Sequence, residues 1–230
     1  MFSGGGYSLK SPYRKLFKGF TLSELLLSLI IVGIIAIITV PVIISNVQKK
    51  LFATQVKNFV AQIEQLAQDE LITHRTRDLS NTDFADPAKL LSDMHFKIVK
   101  SCSSSNSLTD CWKTSGTQKE RVNYKSISKI VNNPGAGDSI ILKNGLLMRY
   151  KVINSATVVG QFLIDINGSD KPNISGRDYF GFGIDHKGQI VFQYCTASLE
   201  QLISDCKTKG DSTAYYCYAV LASNNWKMDY

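Results

Sequence analysis

One stretch of the chain constrains everything else: Lys18 to Lys50, KGFTLSELLLSLIIVGIIAIITVPVIISNVQKK. From Leu25 to Ile44 twenty consecutive residues carry no charge. At about 1.5 Å of rise per residue they make a helix about 30 Å long, the thickness of a bilayer's hydrocarbon core. Just before the span lie Arg14, Lys15 and Lys18, then Gly19-Phe20, then a single carboxylate, Glu24. An acid at the edge of an apolar span costs free energy unless something answers its charge. Thr21-Leu22-Ser23-Glu24 also reads as a capping box, with Thr21 at N-cap and Glu24 at N3.

Composition limits what the remaining residues can build. The chain has 230 residues and a formal charge of +7. Four of its cations, Lys10, Arg14, Lys15 and Lys18, precede Gly19 with no acid among them, so the 211 residues from Phe20 onward carry +3. That length suits one spanning helix and one modest globular unit, not two large domains. Lys49, Lys50 and Lys57 follow the span and nearly balance the cations before it, so charge alone does not orient it. A plain signal anchor would account for the apolar run but not for Gly19-Phe20 between a basic leader and a lone acid. A removable secretory signal would want a shorter apolar region followed by small residues at a cut site.

The string Lys18-Gly19-Phe20-Thr21-Leu22-Ser23-Glu24-Leu25-Leu26 closely resembles the N-terminal processing and methylation motif of type IV prepilins and type II secretion pseudopilins. The resemblance implies that a prepilin peptidase cuts after Gly19, that Phe20 becomes an N-methylated terminus, and that Glu24 answers a terminal ammonium in the growing filament. It also implies a single-pass inner-membrane precursor, N-terminus inside, that later joins identical or related subunits in an extracytoplasmic filament, as a pilus or a secretion pseudopilus. Gly33 and Pro41 fall where many pilins carry a helix-weakening Gly and Pro. The expected organisation is a leader at 1–19, a membrane and filament-core helix at 20–46, an amphipathic continuation at 47–75 and a globular head at 76–230. The expected fold class is α+β: a long N-terminal helix packed on a small antiparallel β-meander, pilin-like.

After the span, Val47, Leu51, Phe52, Val56, Phe59, Val60, Ile63, Leu66, Ala67 and Leu71 recur every three or four residues, so the helix should run on to about His74 with one apolar face. Pro41 removes one backbone donor and should loosen the turn before it. Asp86-Pro87 pairs an N-cap with Pro at N1, and Leu90, Leu91, Met94 and Ile98 give a short second helix its apolar face. Ile140–Leu142, the Asn144-Gly145 turn and Leu146–Ile153 read as a hairpin. Val158–Ile166 and Tyr179–Ile184 continue the strands, and a turn at Asp185–Gly188 leads into Gln189–Tyr194. Ser198–Cys206 reads as a short helical turn, Tyr215–Leu221 as another strand, and Trp226–Tyr230 as a terminal strand or tail. The run from Asp165-Ile166-Asn167-Gly168 through Gly176-Arg177-Asp178-Tyr179-Phe180 also resembles a pattern of bacterial pilin-like proteins.

Five cysteines, Cys102, Cys111, Cys195, Cys206 and Cys217, all follow the span, where export would permit disulfides. None has zinc-site spacing. Cys102 and Cys111 enclose a short Ser-rich loop and are the natural first pair. Two of the last three should join and leave one over, with Cys195 to Cys217 the preferred closure. Asp165, Asn167 and Ser169, with Asp170 and Asp178 nearby, suggest an oxygen-rich calcium loop. Gly176 stands where an EF-hand would need Glu, and an Asx-Gly turn between strands is the preferred reading. No other cofactor is implied. Asn167-Gly168-Ser169 and Asn173-Ile174-Ser175 match the glycosylation sequon.

Between Lys89 and Lys129 eight basic residues face three acids. With Trp112 and Tyr124 interleaved, the segment could meet a phosphate backbone and stacked bases, as in a minor pilin whose head binds DNA or a surface ligand. A solvated face, or a complement to an acidic neighbour, is the preferred reading. An enzyme is disfavoured: His74, His95 and His186 are isolated, and no H-E-x-x-H, G-x-S-x-G or phosphate loop is present. A signal-anchored extracytoplasmic enzyme therefore stands last among the alternatives.

Overall fold

The computed structural model describes residues 19–93, 96–115, 121–192 and 198–230. It has the expected α+β build: a long helix, α1 (Leu22–Thr73), then a six-stranded antiparallel sheet with short helices on either side of it in sequence. The chain divides into two units, one ending at Ser45 and the other running from Asn46 to Tyr230.

In the first unit α1 is apolar on every side and its large side chains are exposed. Two hydroxyls within it are satisfied by their own helix: Ser28 Oγ donates to the Leu25 carbonyl at 2.9 Å and Thr39 Oγ1 to the Ile35 carbonyl at 2.9 Å. Such back-bonding hides a polar group from an apolar surrounding. The helix continues through Pro41.

In the second unit α1 has one buried stripe, Ala53, Val56, Phe59, Val60, Ile63 and Ala67, at the spacing of a single helix face. Val47 and Leu51, expected on that stripe, are exposed; burial starts a turn later. Beyond α1, Asp78 and Thr82 cap two short 3-10 turns, their side chains accepting from the Ser80 and Phe84 N–H groups. Asp86 Oδ1 then accepts from the Ala88 and Lys89 N–H groups at the start of α2 (Pro87–Asp93). Met94 lies outside the described residues. Ile98 does not extend α2 but opens a strand, β1 (Ile98–Cys102), that the apolar spacing had concealed.

The other strands are β2 (Asp138–Leu142), β3 (Leu147–Val152), β4 (Gly160–Asp165), β5 (Tyr179–Ile184) and β6 (Ile190–Val191), each antiparallel to the one before. Because successive side chains alternate across the sheet, Met148, Phe162 and Phe182 pack with the α1 stripe, while Leu147, Leu163 and Tyr179 form a second core with Trp112 and Tyr124. Gly160 is required by close approach: a Cβ there would lie 2.2 Å from the Tyr150 hydroxyl, which donates to the Phe84 carbonyl at 2.8 Å. Gly188, at φ 76°, brings the β5–β6 turn onto α1, where Gln68 Nε2 donates to the Lys187 carbonyl at 3.0 Å.

The C-terminal region corrects two expectations. Tyr215–Leu221 is not a strand but lies in α4 (Thr213–Ser223), which packs against α3 (Leu199–Thr208). Its residues are buried on both sides, Tyr215 toward the second core and Tyr218 toward the first, a setting in which the aromatic run is helical despite its β-preference. This hairpin brings Cys206 to Cys217, Cα to Cα 4.6 Å, and they form the disulfide in place of the Cys195–Cys217 pair. Cys195 lies outside the described residues. Cys102 and Cys111 form the other disulfide. Trp226–Tyr230 has no regular structure beyond the turn that begins it.

Candidate functional site

The start of α1 holds the residues named by the resemblance. Gly19 and Phe20 precede the helix, with Phe20 exposed. The Glu24 N–H donates to Thr21 Oγ1 at 3.3 Å, while Glu24 Oε2 accepts from the Thr21 N–H and the Thr21 hydroxyl at 2.8 Å each. This is a reciprocal capping box. In the single chain the carboxylate is therefore answered by neutral donors, and no ion pair among the described residues includes it. The apolar run after it is long enough to cross a membrane, and none of it is buried within the protein.

A profile of the prokaryotic N-terminal methylation motif matches residues 14–40. The chain carries the type IV pilin and pseudopilin signature. Among curated proteins and among solved structures, nothing matches the chain.

In the globular unit the oxygen-rich loop after β4 makes hydrogen bonds of its own. Asp165, Asp170 and Asp178 do not come within 4.8 Å of one another as a group. Asp165 Oδ2 accepts from the Tyr124 hydroxyl at 2.6 Å and its Oδ1 from the Asn167 N–H at 3.2 Å. Asp178 accepts from the Asn173 and Ile174 N–H groups at 2.7 Å each. Asn167 Nδ2 donates to the Asp170 and Lys171 carbonyls. The loop is thus an Asx-type turn braced by its own donors, although the side-chain oxygens of Asn167 and Asn173 are buried without a partner. Burial pushes the Asp178 carboxyl up to about 6, against the N–H bonds that favour its charged form. Burial, with the charge of Asp178, holds Asp165 well above the usual carboxylate range.

The basic segment is split by the fold. Lys113, Arg121, Lys125 and Lys129 line one open cleft, joined there by Lys171. Lys89 instead pairs with Asp83, and Lys100 Nζ donates to the Asp110 carbonyl at 2.9 Å. Lys119 lies outside the described residues. Trp112 and Tyr124 are not a stacking surface: both are fully buried, ring against ring at 5.5 Å, and the Trp112 indole N–H donates to Ser139 Oγ at 3.0 Å.

Of the histidines, His95 lies outside the described residues and the other two sit in polar clusters. His74 Nε2 is 3.3 Å from Glu70 Oε2 and 3.5 Å from Asp83 Oδ1, three groups that could ligate an ion, with the Lys89 ammonium already on Asp83. His186 Nδ1 meets Asp78 Oδ1 at 2.8 Å and its Nε2 meets the Ser155 carbonyl at 2.8 Å. Both partners only accept, an arrangement that favours the doubly protonated ring. The Ser155 and Asp78 acceptors accordingly raise the His186 pKa. Hydrogen bonds from His186 and Ser80 hold Asp78 down to about 2. The sequence offered no signal for this clasp, because its members lie 31 and 108 residues apart.

Proposed function

We propose that the protein is a pilin-type precursor cleaved after Gly19 by a prepilin peptidase, methylated at Phe20, and assembled with identical or related subunits into a type IV pilus-like or secretion filament. Before assembly α1 holds it in the inner membrane with the basic leader inside and the head outside. The signature belongs to proteins that are structural rather than catalytic. One observation carries the reading: a fully exposed apolar span preceded, within one turn, by a lone carboxylate beside the scissile Gly19-Phe20 bond. Cleavage creates an ammonium at Phe20, and a staggered neighbour would present it to Glu24. Pairing there would offset the cost of an acid near lipid only in the polymer.

The capping box supplies the test. Glu24→Gln keeps an N3 side chain able to close the box but removes the charge, whereas Glu24→Val removes both. Both variants should insert and be cut at Gly19, giving a mature chain that starts at methylated Phe20 by intact mass. Both should be depleted at least tenfold from sheared filaments. Wild-type assembly by Glu24→Gln would reduce Glu24 to a helix cap, and a mature chain that does not begin at Phe20 would end the precursor reading.

A further inference from the structure

We infer that the chain binds one Zn²⁺ ion through Glu70, His74 and Asp83, where the end of α1 meets the second 3-10 turn. The site lies within the unit running from Asn46 to Tyr230 and depends neither on cleavage nor on polymerisation. His74 Nε2 stands 3.3 Å from Glu70 Oε2 and 3.5 Å from Asp83 Oδ1. One ligand atom from each of the three residues lies within 4.8 Å of the other two. Both distances from the ring exceed the usual N–H···O range of about 2.7–3.2 Å, so the three groups converge without bonding one another closely. Two ligand atoms held about 2.0–2.1 Å from one Zn²⁺ in a tetrahedral array stand about 3.3–3.4 Å apart, close to the spacing found.

The backbone sets these ligands in place. Glu70 and His74 are one helical turn apart and share a face, and the His74 N–H donates to the Glu70 carbonyl at 3.0 Å. The Arg75 N–H then donates to the Ile72 carbonyl and the Thr76 N–H to the Leu71 carbonyl, with Arg75 at φ 50°. That is a Schellman stop, and it fixes the His74 backbone at the C-cap. Asp83 is carried by a turn that starts from buried Thr82 and includes the fully buried Phe84, with Thr82 Oγ1 accepting from the Phe84 N–H at 3.2 Å. The Asp83 N–H donates to Glu70 Oε2 at 3.2 Å. This bond joins the two elements and orients the Glu70 carboxylate, whose remaining lone pairs are left for an ion.

The donor set selects the metal. Calcium and magnesium take oxygen ligands, whereas imidazole suits zinc and its first-row neighbours. Two carboxylates and a neutral imidazole together match the charge of a divalent ion. The Glu70 and Asp83 side chains are only 16 % and 12 % exposed, while the His74 ring, at 33 %, leaves the fourth position of a tetrahedral ion open to water. The Lys89 ammonium on Asp83 Oδ1 balances part of the carboxylate charge. Its side chain is 53 % exposed and can turn into solvent as the ion enters, so Lys89 competes for the site. Bound metal would staple the end of α1 to the turn that carries Phe84.

The experiment uses the full chain in neutral detergent, unassembled, stripped with a chelator, desalted and titrated with Zn²⁺ by calorimetry. One ion per chain should bind and resist displacement by about a hundredfold excess of Mg²⁺. The melting midpoint of the head should climb with the logarithm of free Zn²⁺. His74→Gln, at a part-exposed position, should melt close to the wild type in chelator yet bind that ion at least tenfold more weakly. Lys89→Gln should bind it at least threefold more tightly, a gain that a purely structural network of ion pairs would not give. Absence of Zn²⁺ binding, wild-type affinity in His74→Gln, or unchanged or weaker binding by Lys89→Gln would each overturn the assignment. None of these outcomes touches the fate of Glu24→Gln in filaments, so the two readings fail separately.

Discussion

The two halves of α1 are helical for different reasons. Up to Ser45 the helix is built from Ile and Val, which rank below Leu, Ala and Gln as helix formers, and its side chains are exposed all round. What favours a helix there is the requirement that every backbone group find a partner within the segment when the surroundings are lipid. From Asn46 onward Gln, Lys, Glu, Ala and Leu predominate, good helix formers in water, and one face is buried against the sheet. The first half is an exposed apolar surface; the second is part of a core. A residue's contribution to the head should therefore depend on which half it occupies, even when the residue type is the same.

The largest contrast should come from one substitution made twice. Ile63 is fully buried on the α1 stripe, whereas Ile34 is 56 % exposed. Ile63→Ala removes packed methyl groups and leaves a cavity, a loss of about 2–5 kcal/mol. Ile34→Ala should alter head stability by less than about 0.5 kcal/mol. Denaturant melts of the two full-length variants, followed by near-ultraviolet dichroism of the head's buried aromatic residues, measure the difference directly. Equal effects would mean that the two halves are energetically one unit.

The same division explains what could be read from the sequence. The span, the stripe and the Asn144-Gly145 hairpin were legible because each depends on local rules: an uncharged run, a helical period, and turn chemistry, here with the Gly145 N–H donating to the Leu142 carbonyl at 2.9 Å. β4 and β5 are buried on both faces, which erases apolar and polar alternation, yet their short apolar runs between turn residues were read as strands; β1 was the strand that was missed. Ile98 sat at helical spacing from Leu91 yet pairs with Leu142 across β1 and β2. Tyr215, Tyr216 and Tyr218 favour strands, and only tertiary burial makes them helical. Trp112 and Tyr124 looked like partners for nucleic-acid bases because a sequence shows which residues alternate with lysine, not which of them face inward. The lysines themselves were found, but Lys171, 42 residues beyond Lys129, joined them only through the fold.

A pH titration should separate the two regions next. Asp178 in the folded head titrates at about 6, against 3.8 for the unperturbed group, so the fold binds that proton more tightly than the unfolded chain does. Its contribution is complete below about pH 4 and is lost as pH rises through about 6, a loss of order 3 kcal/mol. Asp165, also raised, acts in the same direction. So does His186: its raised pKa stabilises the head below the ordinary histidine value of 6.5, and the gain disappears as pH rises through the folded value. Asp78, held at about 2, works oppositely, losing its contribution only as pH falls from about 4 through 2. The head should thus be most stable near about pH 4, with a midpoint roughly 5 °C higher at pH 4.5 than at pH 8. Asp178→Asn should flatten that slope. A head equally stable at both pH values would contradict the burial argument, and any matching change in the far-ultraviolet signal of the span would contradict the division into halves.

The smallest expected effect is at Gly33, and it bears most directly on the exposed half. Glycine within a helix costs about 0.5–1 kcal/mol relative to alanine, so it persists where something else requires it. In the single chain nothing does: a Cβ at Gly33 would meet no atom within 4 Å, and its φ is not in the left-handed region. Gly33→Ala should therefore leave insertion, cleavage after Gly19 and the head's melting curve unchanged, and should stiffen the span by no more than about 1 kcal/mol. On the proposed filament reading, a requirement for glycine would lie in the polymer, either as close packing of neighbouring helices or as a soft point shared with Pro41. These two origins separate by substitution size. Close packing predicts that Gly33→Ala already lowers filament yield and that Gly33→Leu abolishes it. A soft point predicts normal yield for Gly33→Ala with filaments that stretch less under load in an optical trap. Wild-type yield and wild-type extension together would remove Gly33 from the assembly argument and leave Pro41 as the one local weakness of the span.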